Sequence, residues 1–179
     1  AGTVPVGLAG PRALWCLPAS APPRPVALWL ASRRKERHLA GGLLTTLLAS
    51  LMVLVARFPD PLTMLDDPAL PQAAILAAIM FGYFGGTVLH VKAMIRERNS
   101  LAWRNTSIAW HAAWTVALSG SAIIGQSGRA WAIFFLVTTI RAWVLPTIAE
   151  RRPVRPLTIG LIEICLSAAS LALMLLMNP

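Results

Sequence analysis

Five runs of the sequence carry at most one charged residue each, and each is long enough to cross the roughly 30 Å hydrocarbon core of a bilayer as a helix. They are residues 39–57, 70–91, 105–125, 130–149 and 157–177. In hydrocarbon, every backbone N–H and C=O group must find its partner within the protein, which only helices and closed barrels achieve. The sequence therefore predicts an all-α fold: a polytopic transmembrane helix bundle of about five spanning helices.

The first 25 residues differ from the rest of the chain. They hold six of the fourteen prolines and lack the basic start and unbroken apolar stretch of a signal peptide. We expect residues 1–25 to be an irregular, atypical start, and residues 26–179 to form a single transmembrane helical domain. Residues 25–32, PVALWLAS, resemble the last turns of one further upstream span whose beginning is absent or disrupted.

The distribution of charge predicts the topology. Only 13% of the residues are charged, yet the net charge is +9. Twelve of the sixteen cations lie on alternate connections or just inside them. They cluster in residues 32–38, in residues 92–104, and at Arg141, Arg151, Arg152 and Arg155. This alternation is the positive-inside pattern, so the charge predicts topology rather than nucleic-acid binding.

The topology that follows places the connections 33–38, 92–104 and 150–156 in the cytoplasm, and the aspartate-bearing loop 58–69 and the C-terminus outside. Arginine outnumbers lysine 14 to 2, which is typical of GC-rich bacterial genomes. The predicted location is therefore a bacterial inner membrane, with the lipid bilayer as the main partner.

The second span ends in a cluster of small and basic residues. Gly82 and Gly86 form a small-xxx-small step, and His90 lies one turn further on. Small residues let a neighbouring helix approach closely in lipid. This face is either a packing surface that ends at an interfacial histidine, or a groove at the mouth of a site. Lys92 and Arg96 project together and would reach phosphates or anionic lipid headgroups.

The third span has a polar stripe of Ser107, His111, Thr115 and Ser119 at intervals of four residues. A lipid-facing helix does not need such a stripe, so we expect it to face the bundle interior. His111 and His90 fall at similar depth. A b-type haem held by these two histidines therefore stays open as an alternative.

Arg141 and Glu163 lie inside the fourth and fifth spans. By the rise of 1.5 Å per residue, both are on the order of 10–14 Å from the cytoplasmic connection between those spans. Buried charges normally have partners. We therefore predict that the two side chains pair, with Gly160 on the face of Glu163 as a third packing glycine beside Gly82 and Gly86. The predicted polar cavity, open to the cytoplasm, is lined by His90, Lys92, Arg96, His111, Arg141 and Glu163.

Three segments resemble one family. FGYFGGTVLHVKAMIRERN, the WHA of the third span and RPVRPLTIGLIEICLSAASL are similar to the YwiC-like family of bacterial integral membrane proteins. The matching positions run from Gly86 to Arg98, include His111, and run from Arg155 to Glu163. The resemblance covers roughly residues 26–177. The Pro-x-Gln-His-Gly-Ala-Trp start of that family has no counterpart in residues 1–25. The resemblance implies a multi-pass membrane protein and no established chemistry.

The function that fits these features best is a transporter-like or accessory membrane protein with a polar, cytoplasm-facing cavity. One alternative is a prenyltransferase-like enzyme acting on a lipid diphosphate, which needs clustered aspartates to hold magnesium. Asp66 and Asp67 lie on the opposite side, so an enzyme is disfavoured. A haem- or quinone-binding subunit is the other alternative. The two cysteines, Cys16 and Cys165, have no metal-binding spacing. The sequence names no catalytic residue, metal ligand, cofactor or oligomeric state.

Overall fold

The computed structural model describes residues 39–58, 60–121, 126–152 and 154–177. Within these ranges the chain is helical and contains no strand, so the all-α prediction is confirmed. The helices are α1 (Leu39–Arg57), α2 (Pro61–Met64), α3 (Leu70–Val91), which continues as a π-helical turn (Lys92–Arg96), α4 (Leu101–Ser121), α5 (Gln126–Arg151) and α6 (Pro156–Met177). The atypical start and the upstream remnant lie outside the described residues.

Four helices in the described ranges are long and apolar enough to cross a membrane, judged by length and composition: Leu39–Arg57, Leu70–Arg96, Gly128–Arg151 and Pro156–Met177. The remaining predicted span also forms a helix, α4, of 21 residues. It does not qualify on composition because polar residues such as Arg104 and His111 interrupt its apolar sequence. The predicted class of fold, a helical membrane bundle, is thus confirmed, and α4 is its most polar long helix in the described ranges.

The ends of several helices follow from local chemistry. The second predicted span does not stop at Val91, because α3 runs on through a π turn in which the Glu97 N–H donates to the Lys92 carbonyl at 2.9 Å. Asp60 caps α2 by accepting from the Leu62 N–H at 3.0 Å. α6 begins at Pro156, whose missing N–H costs nothing in the first turn of a helix.

The chain divides into two compact units between Phe81 and Gly82, inside α3, and the single domain over residues 26–179 stays a prediction. The described residues of the first unit form α1, α2 and the first part of α3. In α1 the hydroxyls of Thr45 and Ser50 donate to carbonyls one turn earlier, at 2.9 and 2.7 Å. These bonds satisfy the hydroxyls within their own helix, as an apolar environment requires.

In the second unit α4 and α5 run antiparallel. Three contacts set their register: Arg104 pairs with Glu150, His111 approaches Arg141, and the hydroxyls of Thr115 and Thr139 lie 2.8 Å apart. The residue numbers rise along α4 while those of the partners fall along α5. These two helices, consecutive in the chain, are therefore antiparallel neighbours.

The second part of α3, from Gly82 onward, packs against α6 in the same unit, also antiparallel. The Tyr83 hydroxyl lies 3.2 Å from Ser167 Oγ, and Thr87 Oγ1 lies 3.1 Å from Glu163 Oε2. Because α4 packs on α3 through Gly82 and α5 reaches α6 through the Arg141–Glu163 pair, the contacts of these four helices close into a ring. This is the arrangement of a four-helix bundle, a fold whose polar and ligand sites are built from side chains on facing helices.

Aromatic side chains fill the bundle near the start of α5. Phe134 packs edge-on against Tyr83, with ring centroids 5.1 Å apart, and edge-on against Trp131 at 5.8 Å. Phe135 stacks on Trp114 at 5.8 Å and is fully buried. We call Tyr83, Trp114, Trp131, Phe134 and Phe135 the aromatic layer. Most of these rings are buried, and they pack one end of the bundle core.

Candidate functional site

Arg141 of α5 and Glu163 of α6 form an ion pair in the core of the second unit. The Nη1 group of Arg141 donates to Glu163 Oε1, and only 6% and 10% of the two side chains are exposed. The pairing predicted from their matched depth on consecutive antiparallel spans is confirmed. The attraction between the two charges offsets the free energy that each loses when it is removed from water.

Glu163 has a second partner on another helix. Thr87 Oγ1 of α3 donates to Glu163 Oε2 at 3.1 Å, so each carboxylate oxygen accepts one hydrogen bond. The neighbouring Tyr83 hydroxyl lies 3.2 Å from Ser167 Oγ, one turn further along α6. Polar side chains of α3 and α6 therefore contact each other along this interface, and the Glu163 carboxylate lies at one end of it.

His111 of α4 joins the same arrangement from the opposite side. Its Nε2 lies 3.1 Å from Arg141 Nη2, and its Nδ1 lies 2.7 Å from the Ser107 carbonyl. A guanidinium can only donate, so Nε2 accepts and the proton is on Nδ1, which donates to Ser107. His111 is therefore a neutral imidazole in a defined tautomer. Both ring nitrogens are engaged, so an axial bond to haem would require the loss of one of these contacts.

Four helices thus each contribute one side chain to a single hydrogen-bonded chain, which we call the buried network: Thr87, His111, Arg141 and Glu163. The single positive charge of Arg141 is balanced by Glu163. The network lies between the aromatic layer and the end of α5 that carries Glu150. Arg141 is nine residues from Glu150, which is on the order of 13 Å along the helix.

Several buried polar atoms beside the network have no hydrogen-bond partner in the described part of the chain. They are both ring nitrogens of His90, Ser107 Oγ and Arg141 Nε. His90 is fully buried and lies within electrostatic range of Arg141 and His111. Unpaired buried polar atoms are uncommon because their desolvation is not compensated. The site therefore has hydrogen-bonding capacity beyond what its own contacts use.

Two glycines of α3 make the close approach of α4 possible. A Cβ at Gly86 would lie 2.7 Å from His111 Nε2, and one at Gly82 would lie 2.5 Å from the Trp114 ring. The Gly82 carbonyl also accepts the Trp110 indole N–H at 2.8 Å. A larger residue at either position would separate the helices or move the ring. Gly86 thus determines where His111 can sit.

Gly160, predicted as a third packing residue, does not pack in this way. Apart from its chain neighbours and its own helix backbone, no heavy atom lies within 4 Å of the place its Cβ would take. It precedes Glu163 by three residues, so it points about 60° away from the carboxylate around the α6 axis. That rotation is enough to turn Gly160 out of the packed face of the described bundle.

Lys92 and Arg96 lie outside the buried network. The Lys92 Nζ atom sits 3.6 Å from the centroid of the Trp103 ring, and Arg96 is exposed on the π turn. Of the six residues predicted to line one cavity, the structure joins His111, Arg141 and Glu163 and places His90 beside them. Lys92 and Arg96 lie instead at the end of α3, where the Trp103 ring makes a cation–π contact with Lys92.

A cavity of about 230 Å³ lies at this same end of the second unit, and its lining contains none of the six predicted residues. It is formed by Ala93, Met94, Arg98, Asn99, Ser100, Leu101, Arg104, Pro146, Ala149 and Glu150. The cavity is therefore a feature separate from the buried network.

Sequence reasoning missed the contribution of Thr87 and Tyr83. The signal was present, because Tyr83 is the single tyrosine of the chain and stands four residues before Thr87 and seven before His90. That spacing puts the three on one helical face. The Gly82–Gly86 step lies on a neighbouring face, towards α4, and is the more conspicuous pattern in the sequence.

The apolar helices and the buried charges together define a multi-pass helical membrane protein. The model of the YwiC-like protein family matches residues 1–57, about a third of the chain, so a similarity to that family is confirmed over this segment. The match includes residues 1–25, which were expected to be an atypical start, and the three motifs that resemble the family lie beyond it. Comparison with curated proteins and with solved structures gives no significant match.

Proposed function

We propose that this protein is a membrane transporter whose substrate site is the buried network of Thr87, His111, Arg141 and Glu163. The observation that carries the proposal is the ion pair in the core of the second unit, linked to four helices and flanked by buried polar atoms without partners. Ionisable residues inside membrane spans typically mark substrate or proton pathways.

A structural role explains this arrangement less well. Replacing a buried ion pair by apolar residues of similar volume is often neutral or stabilising, so stability alone gives little reason to keep the charges. Nor does a structural pair require His90 or Ser107, whose polar atoms add a desolvation cost without a partner among the described residues. A ligand that hydrogen-bonds to these atoms would offset that cost.

The chemistry of the site suits an anion that moves together with a proton. When Glu163 accepts a proton on a carboxylate oxygen, the guanidinium of Arg141 keeps its charge but loses its carboxylate partner. A substrate anion can then take that place, with Ser107 Oγ and Arg141 Nε as further donors. Release of the anion and the proton restores the ion pair. In this scheme Glu163 couples the movement of the anion to the movement of the proton.

The proposal predicts that water-soluble reagents reach the site. In a variant without Cys16 and Cys165, Ser107→Cys should react with a charged thiol reagent in proteoliposomes, from each face in turn, because a transporter opens its site to both sides. Ala142→Cys is the matched control, since Ala142 is fully buried and adjoins Arg141 on α5 but belongs to another face of that helix. The measurement is the rate of labelling of each cysteine by mass spectrometry.

Equal protection of the two cysteines would contradict transport and favour an accessory bundle with a structural ion pair. Equal labelling of both cysteines would mean that the bundle opens non-specifically, and the result would then no longer support a substrate path. Only preferential labelling of position 107 fits a hydrated substrate path.

We further propose that the basic connections 33–38, 92–104 and 150–156 face the cytoplasm of a bacterial cell, with the loop 58–69 and the C-terminus outside. Asp66→Cys should then be labelled by an impermeant reagent on whole cells, because Asp66 is exposed and its loop would lie outside. Asn99→Cys, also exposed, should be labelled only after permeabilisation. The reverse pattern would invert the topology. On the inner face, Lys92 and Arg96 would lie at the level of anionic lipid headgroups.

A lipid-diphosphate enzyme has less support. The aspartates of the described chain, Asp60, Asp66 and Asp67, belong to the segment between α1 and α3, and none contributes to the buried network. A carboxylate cluster on one face is what magnesium-dependent diphosphate chemistry needs. The network instead offers one carboxylate that is already paired with a guanidinium.

A further inference from the structure

The cavity of about 230 Å³ lies where three pieces of the second unit meet: the π turn and link after α3, the first turn of α4, and the last turns of α5. Its walls are of two kinds. Met94 and Pro146 contribute apolar surface, whereas Arg98, Ser100, Arg104 and Glu150 contribute polar groups. The volume is below the roughly 300–1,000 Å³ of pockets for drug-sized ligands, so a small group is the natural occupant.

The two arginines of the lining each have one contact that a stronger acceptor could replace. Arg104 pairs with Glu150 through one Nη1 atom, while its buried Nε has no partner in the described ranges. Arg98 makes a long 3.4 Å contact from Nη2 to the Ala149 carbonyl. The Glu150 side chain is 59% exposed, so it can leave Arg104 for water at little cost. Both guanidiniums can therefore turn to a stronger acceptor inside the cavity.

The charge around the cavity is strongly positive. The segments that surround it carry seven cations and two anions: Lys92, Arg96, Arg98, Arg104, Arg151, Arg152 and Arg155 against Glu97 and Glu150. Such a concentration of one sign raises the local concentration of counter-ions of the opposite sign. Guanidinium groups match the paired oxygens of a phosphate in geometry as well as charge.

We propose that this cavity binds the phosphate group of an anionic ligand, which replaces Glu150 as the partner of Arg104. The apolar wall next to the arginines leaves the source of the phosphate open between a soluble phosphate ester and the headgroup of an anionic phospholipid. The site does not depend on the transport proposal, because the buried network and the cavity share no lining residue.

The test uses the full chain in phosphatidylcholine nanodiscs at constant ionic strength. In the soluble arm, glycerol 3-phosphate is titrated and its apparent affinity is read from the shift in melting temperature. In the lipid arm, nanodiscs contain a graded fraction of phosphatidylglycerol, and retained lipid is counted by native mass spectrometry after transfer to detergent. Arg104→Gln should weaken binding by roughly ten-fold or more, the usual effect of losing a hydrogen bond to a charged group.

Two further variants make the result specific. Glu150→Gln should tighten binding, because it removes the carboxylate that competes for Arg104. Arg129→Gln makes the same change in net charge as Arg104→Gln, but at an exposed position at the other end of α5, and should leave binding unchanged. This opposite pair of effects also guards against a variant that simply folds poorly.

Each outcome decides the matter. A response in the soluble arm that depends on Arg104 identifies a phosphate ester, and retention of phosphatidylglycerol that depends on Arg104 identifies a headgroup. If neither arm responds, or if Arg104→Gln and Arg129→Gln weaken binding equally, the cations act only as a diffuse positive surface and the proposal fails.

Discussion

Replacing Arg141 by methionine should lower the free energy of unfolding of the detergent-solubilised protein by about 3–5 kcal/mol, the usual cost of breaking a buried ion pair from one side. The variant leaves the Glu163 carboxylate in the core with the single hydrogen bond from Thr87. It also removes the donor to His111 Nε2. Glu163→Gln should be milder, because Arg141 keeps His111 as a partner and glutamine can still accept from Thr87.

The coupling between the two charges is measured by a double-mutant cycle. The variant with both Arg141→Met and Glu163→Gln should be more stable than the sum of the single losses indicates, because it contains neither unpaired charge. The measurement is equilibrium unfolding of all four proteins in one detergent. Strictly additive effects would show that the pair does not act as a unit.

The same chain supplies a matched control. Arg104 and Glu150 join the same pair of residue types but are 23% and 59% exposed, against 6% and 10% for Arg141 and Glu163. An exposed pair typically contributes about 0.2–1 kcal/mol. The cycle with Arg104→Met and Glu150→Gln should therefore show a much smaller coupling. Equal couplings in the two cycles would mean that burial does not govern the strength of the Arg141–Glu163 pair.

The sequence was sufficient for the class of fold and for the central ion pair. Apolar runs with sharp ends specify membrane helices because the bilayer demands a fixed length and internal hydrogen bonds. Depth along a helix also follows from counting residues, and that is why Arg141 and Glu163 could be matched. Both inferences rest on distances along the chain, which the sequence contains.

The sequence could not supply the rotation of each helix about its own axis, which decides the side chains that face the bundle core. Gly82 and Gly160 look alike in the sequence, yet one meets the Trp114 ring and the other meets nothing within 4 Å. Lys92 was grouped with the network on depth alone and instead lies over Trp103. Which face of a membrane helix turns inward depends on packing against its neighbours, and polar or small residues indicate it only approximately.

Gly86→Ala should destabilise the bundle by about 1–3 kcal/mol, the usual cost of overpacking a well-filled core. The new Cβ would lie 2.7 Å from His111 Nε2 and 2.9 Å from Cε1. The ring cannot move aside freely, because Nδ1 is tied to the Ser107 carbonyl and Nε2 accepts from Arg141. Either α3 and α4 separate or the contact between His111 and Arg141 is lost.

The same substitution at Gly160 provides the control for this prediction. No atom lies within 4 Å of its Cβ position, so Gly160→Ala should be neutral or slightly stabilising through the better helix propensity of alanine. Unfolding in detergent measures both stabilities.

Nitrogen-15 NMR of the His111 ring then separates the two routes by which Gly86→Ala can act. In the native protein the signals should report a proton on Nδ1, with Nε2 as an acceptor. If Arg141 is displaced, the Nε2 signal should change. If the ring signals and the stability both match those of the Gly160→Ala protein, Gly86 does not position His111, and the close approach of α3 and α4 is not what holds the buried network together.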